Sequence, residues 1–357
     1  MQTVNIPQQT YAFELDGEPI YATTYGNGHI NDTILVLDST ARLYVLQRIN
    51  QNVFRNPQAV MENVLAVTTY LGKQVDEQRK ALVLVPTKTG DRWLVDEQGE
   101  YWRLYYFISD SLVLQQAQSP DDFRESGIAF GRFQRQLAAF PADTLHETIP
   151  HFHDTPHRFA TFHKVLKADA HNRAKNVAKE IEFALGHEAY ASTLMNLLES
   201  GEIPLRVTHN DTKLNNVLFD RNTRKSVCVV DLDTVMPGLS VNDFGDSIRY
   251  GASTATEDET DLSKVNFSLP LFKTYSAGFL QSCGESLTPA ERNHLCDGAK
   301  MMTLECGLRF LTDYLDGDTY FGIKHENHNL DRCRTQFKLV AEMEKHWNDM
   351  QQVIKTT

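Results

Sequence analysis

Several features that would place the chain in other protein classes are absent from its 357 residues. Basic residues are outnumbered by acidic ones, 35 against 47, so the formal net charge is −12. This balance disfavours a general nucleic-acid binder and a polybasic membrane anchor, because both need an excess of basic side chains. No uncharged apolar run reaches the roughly 18 residues that a membrane-spanning helix requires. We therefore expect neither a nucleic-acid nor a membrane partner.

Features of secreted proteins are also scarce. The five cysteines form no C-x-x-C pair, and their odd number disfavours a disulfide framework or a zinc ribbon. The first ten residues lack the basic and apolar regions of a secretory signal. We therefore expect a reducing, cytoplasmic location. Hydrophobic residues at 41% and charged residues at 23% are typical of a globular protein, and the length suggests about two domains.

The residue pattern predicts an α+β fold. β-branched and aromatic runs in the first third predict strands at 20–25, 30–37, 43–49, 81–85, 93–95 and 102–108, with a helix at 57–71. Helical patterns then follow at 121–140, twice within 158–198, and from 267 to the end, with short apolar runs at 205–208, 217–219 and 227–230. We therefore expect a small antiparallel-sheet lobe at 1–108 and a larger helical lobe at 109–357.

The most informative segment of the sequence is 206–220. Asp211 and Asn216 are five residues apart, and a later apolar run leads to Asp231 and Asp233. Kinase catalytic loops have this pattern: an Asp positions the attacking hydroxyl, while an Asn and a later Asp hold the metal. Turn capping explains single Asp or Asn residues, but it does not explain this combination. The spacing predicts Asp211 as the catalytic residue, with Asn216 and Asp231 as Mg²⁺ ligands of an ATP-dependent phosphoryl transfer.

A glycine-containing turn separates the first two predicted strands. Gly26 and Gly28 would allow backbone N–H groups to approach nucleotide phosphates, and Asn27 lies between them. A simple hairpin turn is the alternative interpretation. His29 follows at the tip, where it is either a contact to the transferred phosphate or the substrate, or a solvated turn residue. These residues are candidates for the nucleotide site.

The third predicted strand departs from the usual kinase pattern. Gln47 stands where a lysine usually holds the α- and β-phosphates, and strand alternation puts Arg48 on the opposite face. Either backbone and metal contacts suffice to hold the phosphates, or Arg48 turns inward. An inactive pseudokinase that binds sugar or nucleotide is therefore an open alternative. Gln47 and Phe107 complete the candidate nucleotide-binding residues.

A second acidic motif follows the candidate metal ligands. Asp243-Phe-Gly-Asp246 has the letters of a kinase metal-binding motif, but Asp231 already precedes it. We therefore expect Asp243 to cap the following helix and to hold the catalytic loop by hydrogen bonds. Arg249 has the spacing of an ion-pair partner for Asp246.

Longer segments resemble the N-acetylhexosamine 1-kinases, a family within the aminoglycoside phosphotransferase and choline kinase superfamily. The similarity extends over nearly the whole chain and includes 26–31, 149–158, 206–216, 231–238, 243–249, 251–255, 305–309 and 313–318. It implies a two-lobed protein-kinase-like fold, in which the lobe at 1–108 binds nucleotide and the lobe at 109–357 contains the catalytic loop and the sugar site. It also implies use of ATP and Mg²⁺ to phosphorylate the anomeric hydroxyl of N-acetylglucosamine or N-acetylgalactosamine.

Substrate contacts are implied by the same resemblance. The candidate sugar-binding residues are His29, Asp211, Asp233, Arg309 and Tyr320. For Arg309, an ion pair with Asp313 on the same helix is the structural alternative. We expect a monomer whose partners are ATP and a small-molecule sugar. A kinase for another small hydroxyl acceptor, such as an aminoglycoside, choline or homoserine, is the alternative function.

Overall fold

The chain is described by a computed structural model that covers residues 3–26 and 30–357. It divides into two compact units, each built from three segments. The first unit comprises Met1–Val113, Ala139–Ile149 and Val217–Pro237, and the second comprises Leu114–Ala138, Pro150–Asn216 and Gly238–Thr357. The lobe boundary that the sequence suggests after residue 108 stays a prediction.

An antiparallel sheet forms the centre of the first unit. Its order is β1-β2-β3-β5-β4, made of β1 Pro19–Thr24, β2 Asp32–Asp38, β3 Leu43–Arg48, β4 Leu94–Val95 and β5 Tyr101–Tyr106. Alternate side chains of a strand point to opposite faces. One face is sealed by fully buried apolar side chains, among them Val36, Tyr44, Leu46 and Leu104. The pairing of β3 with β5 sets Gln47 opposite Arg103, so these two side chains share the other face.

Helix α1, Pro57–Gly72, belongs to the first unit. The side chain of Asn56 caps it by accepting a hydrogen bond from Ala59 N, and Pro57 occupies the first turn, where its missing N–H costs nothing. Apolar residues at helical spacing are buried: Val60, Val64, Val67 and Leu71. The predicted helix at 57–71 is therefore confirmed to within one residue.

The predicted strand at 81–85 is wrong. This stretch makes an isolated bridge between Leu84 and Tyr105 of β5, and no strand is formed. Pro86 follows directly and has no N–H to donate to a ladder, so the pairing cannot continue.

A small second sheet of the first unit includes a strand that the sequence did not suggest. Strand β6, Ser111–Val113, pairs with β8, Val217–Asp220, which pairs in turn with β9, Ser226–Val229. The runs at 217–219 and 227–230 are thus confirmed as strands. Strand β6 was missed because it is short and its partner lies in a distant part of the sequence.

The second unit is predominantly helical. Its helices are α2 Pro120–Gln136, α3 Thr155–Ala168, α4 Ala178–Gly186, α5 Glu188–Ala191, α6 Thr193–Glu199, α7 Ser240–Gly251, α8 Leu269–Cys283, α9 Pro289–Asn293, α10 Leu295–Leu315, α11 His328–Lys345 and α12 Trp347–Thr356. Strand β7, Arg206–Thr208, confirms the run at 205–208, and β10, Met236–Gly238, crosses the boundary between the units. The α+β fold class is confirmed. Among the described residues, no helix is both long and apolar enough to span a membrane.

The region 158–198 contains more helices than predicted. Helices α3 to α6 cover it, whereas the sequence pattern suggested two. Helix α3 ends at Ala168; the next residue, Asp169, has a left-handed φ of 36°, and Asn172 is left-handed as well. Two left-handed residues so close together stop an α-helix, because the next turn cannot form its hydrogen bonds.

Helices α7 and α10 approach each other closely through glycines. A Cβ atom on Gly245 would lie 2.2 Å from Gly298 O, and a Cβ on Gly298 would lie 2.0 Å from Val241 O. Any side chain at either position would push the two backbones apart. The position of α7, which carries Asp243 and Asp246, therefore depends on these glycines.

Candidate active site

The loop that contains Asp211 follows β7. It begins with His209, which is fully buried and has the rings of Phe130 and Phe133 edge-on at centroid distances of 5.5 and 5.9 Å. The backbone N–H of Asp211 donates to His209 Nδ1 at 3.3 Å. His209 thus stabilises the loop from inside.

Helix α7 anchors this loop through a buried carboxylate. Asp243 Oδ2 and Oδ1 accept hydrogen bonds from the backbone N–H groups of His209 and Asn210, each at 2.8 Å, and Gln134 Nε2 donates to Oδ2 at 2.7 Å. Burial raises the pKa of Asp243. The expected contact with the catalytic loop is confirmed. The expected capping role is wrong, because α7 begins at Ser240 and Asp243 lies within its first turn.

One turn later, Asp246 holds the next part of the loop. Its Oδ2 accepts a hydrogen bond from Thr212 N at 3.0 Å, and its Oδ1 accepts one from Arg249 Nε at 3.0 Å. Burial acts to raise the pKa of Asp246, but the charges of Arg249 and Lys213 lower it overall. The predicted ion pair of Asp246 with Arg249 is confirmed.

Asp211 is held by two side chains of its own loop. Lys213 Nζ lies 2.7 Å from Asp211 Oδ1, and Asn216 Nδ2 donates to Asp211 Oδ2 at 3.1 Å and to Asp211 O at 2.8 Å. Desolvation acts to lower the pKa of Lys213, but Asp211 and Asp246 raise it overall. Lys213 was missed by the sequence reading. Its position two residues after Asp211 was a local signal that could have identified it as a partner of this carboxylate.

The candidate cation ligands supply hard oxygen atoms. Because Asn216 donates through Nδ2, its Oδ1 is the remaining acceptor of the side chain. Asn216 is the last residue of its segment in the second unit. Asp231 lies in the first unit after β9, is exposed and has a left-handed φ of 63°. Carboxylate and amide oxygens are ligands that Mg²⁺ prefers, so each of these two side chains is of a type that fits a divalent cation.

Asp233 is buried among residues of the first unit. Arg103 Nη1 lies 2.5 Å from Asp233 Oδ1, and Asn31 Nδ2 donates to Asp233 Oδ2. Arg103 also donates to Gln47 Oε1 through Nε at 3.0 Å and Nη2 at 2.8 Å. Both oxygens of Asp233 are therefore in contact with protein side chains. Arg103 was missed by the sequence reading, because only the pairing of β3 with β5 reveals it.

Arg48 does not turn inward. Its guanidinium forms an ion pair with Asp32 and lies 3.9 Å from Glu100, both at the surface of the first unit. Glu62 lies on α1, the helix after β3, where kinases place the glutamate partner of the strand-3 lysine. It pairs instead with His146 Nε2 at 2.6 Å, where both side chains are exposed. Among the described residues, therefore, neither Arg48 nor Glu62 forms a hydrogen bond with the side chain of Gln47.

The remaining nucleotide candidates are only partly described. Gly26 has a φ of 78°, a conformation that glycine adopts without strain, at the start of the turn after β1. Asn27, Gly28 and His29 lie outside the described residues. Phe107 follows β5 and contacts the ring of Tyr25 edge-on at 5.9 Å.

Two predicted sugar residues are brought together in the second unit. The guanidinium of Arg309 lies over the rings of Phe152, Tyr320 and Phe321, at 5.3, 5.8 and 5.3 Å from their centroids. We call these three rings the aromatic cage. Among the described residues, the guanidinium of Arg309 has no hydrogen-bond or ion-pair partner, and Tyr320 is 67% exposed. Arg309 is therefore available to a ligand.

The loop that carries Tyr320 is fixed by Asp313. Its carboxylate accepts backbone N–H groups at distances of 2.8–2.9 Å from Thr319, Tyr320 and Phe321. Asn329 Nδ2 donates to the same carboxylate at 2.9 Å. The alternative ion pair of Arg309 with Asp313 is thus absent from the described contacts. The sequence did not indicate this role, because the donors are backbone N–H groups, which are present whatever the residue type.

Solved structures of small-molecule kinases share this fold. An aminoglycoside phosphotransferase from Alicyclobacillus acidocaldarius is 12% identical, with 100% of this chain and 98% of that chain covered and a TM-score of 0.65. A choline kinase from Cryptosporidium parvum is 14% identical, covering 92% and 90% with a TM-score of 0.56. An amicoumacin kinase in complex with AMP-PNP, Ca²⁺ and Ami is 12% identical, covering 89% and 87% with a TM-score of 0.58. The fold is thus that of a kinase-like phosphotransferase.

The family follows from the sequence itself. Residues 22–269 match the model of the phosphotransferase enzyme family, which is the aminoglycoside phosphotransferase family. The matched range includes the loop that contains Asp211 and both acidic motifs. The chain belongs to this family and is a phosphotransferase of the small-molecule hydroxyl kinase type.

The Asp313 contacts generate a prediction about the Tyr320 loop. Several N–H donors converge on the carboxylate of Asp313. The substitution Asp313→Asn replaces one of its acceptor oxygens by an NH₂ group, which cannot accept these hydrogen bonds. We expect the amide protons of 319–321 to exchange faster with deuterium, because at least one of their hydrogen bonds is lost.

Asp316→Asn is the matched control, because Asp316 is exposed at the end of the same helix. Exchange is followed by mass spectrometry of the peptide that covers this loop. Equal exchange in the two variants would contradict the anchoring role of Asp313.

Proposed function

We propose that the protein is an ATP-dependent kinase of N-acetylhexosamines, which converts N-acetylglucosamine or N-acetylgalactosamine and ATP to the sugar 1-phosphate and ADP. The observation that carries the kinase part is the position of Asp211, held between Lys213 and Asn216 in a loop anchored by α7. The sugar part rests on the resemblance of the motifs and on the Arg309 and Tyr320 pair. Family membership is consistent with both parts.

Asp211 would orient the acceptor and take its proton. The anomeric oxygen attacks the γ-phosphorus, the bond from this phosphorus to the β,γ-bridging oxygen breaks, and the hydroxyl proton passes to the Asp211 carboxylate. Phosphoryl transfer depends mainly on positioning and electrostatics. Lys213 and Asn216 contribute by fixing both carboxylate oxygens of Asp211, so that the acceptor meets a preset orientation.

Asn216 and Asp231 would hold Mg²⁺ together with the nucleotide. When bound, the cation neutralises negative charge on the phosphates. The amicoumacin kinase complex with AMP-PNP and Ca²⁺ supports use of ATP and a divalent cation in this fold. Gly26, Asn27, Gly28, Gln47 and Phe107 are the proposed nucleotide-binding residues, and for Gln47 this role acts through Arg103.

The acceptor side would use His29, Arg309 and Tyr320 in addition to Asp211. The fourth candidate, Asp233, is buried against Arg103 and Asn31 and would contribute only through these neighbours. Arg309 offers donors to sugar oxygens, and the exposed ring of Tyr320 offers an apolar platform. Arg158 lies near Arg309. Burial is the main cause that lowers the pKa of Arg158, and the positive charge of Arg309 is the second. The carboxylate of Glu305, whose pKa is lowered by His153, Arg158 and Arg309 despite its burial, offsets part of this positive charge.

A panel of acceptors tests the proposed substrate. ADP release is measured with N-acetylglucosamine, N-acetylgalactosamine, choline, homoserine and an aminoglycoside. We expect turnover with at least one acetylated sugar and a 1-phosphate product, identified by phosphorus NMR. Turnover with another acceptor, and none with either sugar, would overturn the substrate assignment and leave the kinase assignment standing. ATP binding without transfer to any of them would favour the pseudokinase alternative.

Asp211→Asn tests the catalytic assignment. We expect kcat to fall by about 10²–10⁴-fold, because the amide keeps the shape but cannot accept the proton. Asp220→Asn is the control, since Asp220 accepts from Asn222 N and Thr223 N in the turn between β8 and β9. Folding is checked by circular dichroism. Near-normal turnover of the folded Asp211 variant would refute the role.

Arg309→Gln tests the acceptor site. We expect KM for the accepted sugar to rise by about 10–100-fold, which corresponds to the loss of one or two charge-assisted hydrogen bonds, while KM for ATP stays the same. Arg292→Gln removes the same charge from α9, where the guanidinium donates to Ile354 O. An equal change in both KM values, or none in the sugar KM, would argue against contact of Arg309 with the sugar.

A further inference from the structure

A buried guanidinium lies where the sequence has no lysine. Gln47 on β3 and Arg103 on β5 are direct partners in the antiparallel pairing, so their side chains extend from the same face. Arg103 donates twice to Gln47 Oε1, and Gln47 Nε2 donates to Thr33 Oγ1 on β2 at 3.1 Å. Three adjacent strands thus fix the guanidinium of Arg103.

Arg103 and Asp233 are a buried pair, 1% and 4% exposed in their side chains. A buried charge without its partner is costly, typically by several kcal/mol, so each side chain restricts the position of the other. Asp233 is further held by Asn31, whose Oδ1 accepts a hydrogen bond from Asn50 N at 2.9 Å. The pair therefore ties the strands to the segment that contains Asp233.

That segment also carries the candidate metal ligand. Asp231 directly precedes the 3-10 turn Leu232–Thr234, and its backbone has a left-handed φ of 63°, which is uncommon for non-glycine residues although Asp adopts it more readily than most. Beyond the turn, Asn63 Nδ2 on α1 donates to Val235 O at 2.9 Å. Asp231 is therefore held on its carboxyl-terminal side by Arg103 and by Asn63.

We propose that Arg103 is a positioning residue of the proposed kinase reaction: through Asp233 it sets the orientation in which Asp231 meets the divalent cation of the nucleotide complex. In other kinases a strand-3 lysine and a helix glutamate form the buried pair that orders the phosphate site. Here Arg103 on β5 and Asp233 form the pair, while Glu62 is engaged with His146. This inference rests on the proposed function.

The test measures metal–nucleotide binding without any acceptor. Mn²⁺ is titrated into protein with AMP-PNP and followed by electron paramagnetic resonance. Arg103→Lys keeps the charge but loses the fork that contacts Gln47 and Asp233 together. We expect the affinity for Mn²⁺ with AMP-PNP to fall by about 10–100-fold, the range typical of residues that orient metal ligands. Arg48→Lys on the opposite face of β3 is the matched control and should bind as the wild type does.

A second variant separates loss of metal binding from loss of folding. Arg103→Met combined with Asp233→Leu takes away both buried charges, a replacement that proteins often tolerate. It should fold, as judged by circular dichroism, and lose metal–nucleotide affinity to the same extent. Wild-type affinity in either folded variant would overturn the inference and leave the proposed function intact. If the wild-type protein bound no metal–nucleotide complex, both would be overturned.

Discussion

The interaction on which the candidate active site depends is the hydrogen bonding of one buried carboxylate to backbone N–H groups. Asp243 accepts from His209 N and Asn210 N, and these groups would otherwise be buried donors without a partner. Asn210 has a left-handed φ of 64°, so the chain turns at this point and presents Asp211 outward. The orientation of Asp211 therefore follows from contacts that the two preceding residues make with a different element, α7.

Helix α7 can serve as this anchor because it is packed tightly and carries two carboxylates at a spacing of three. Residues three apart lie on one face of a helix, so Asp243 and Asp246 both meet the loop, the second one at Thr212 N. Contact of Gly245 with Gly298 lets α7 lie directly against α10. Ser247 Oγ donates to Thr212 O at 2.8 Å, which completes the loop's backbone hydrogen bonds on this side. A rigid helix thus sets a short loop, as a preorganised site requires.

Local signals were sufficient for much of the fold and for part of the site. Helix α1, strands β1 to β3 and the contact of Asp243 with the loop follow from periodicity and turn chemistry close in sequence. Lys213 had a local signal as well, and it was overlooked. Arg103 and the Asp313 contacts had none, because their partners are fixed by strand pairing and by backbone groups. Strand β6 and the failure at 81–85 have the same origin: pairing with distant chain, or its interruption by Pro86, decides whether a short apolar run becomes a strand.

Gln47 and Arg103 depend on each other, because the guanidinium of Arg103 needs the acceptor oxygen that Gln47 supplies. A guanidinium has five donors in a fixed plane, and Arg103 uses Nε and Nη2 toward Gln47 while Nη1 faces Asp233. An ammonium at position 47 would place two cations against each other in a buried site, whereas an amide oxygen there completes the fork. Compared with the usual kinase pattern, the buried cation lies on β5 instead of β3, and position 47 on β3 carries a hydrogen-bond acceptor instead of a lysine. The missing lysine therefore does not leave this face of the sheet without a cation, since Arg103 on β5 carries one.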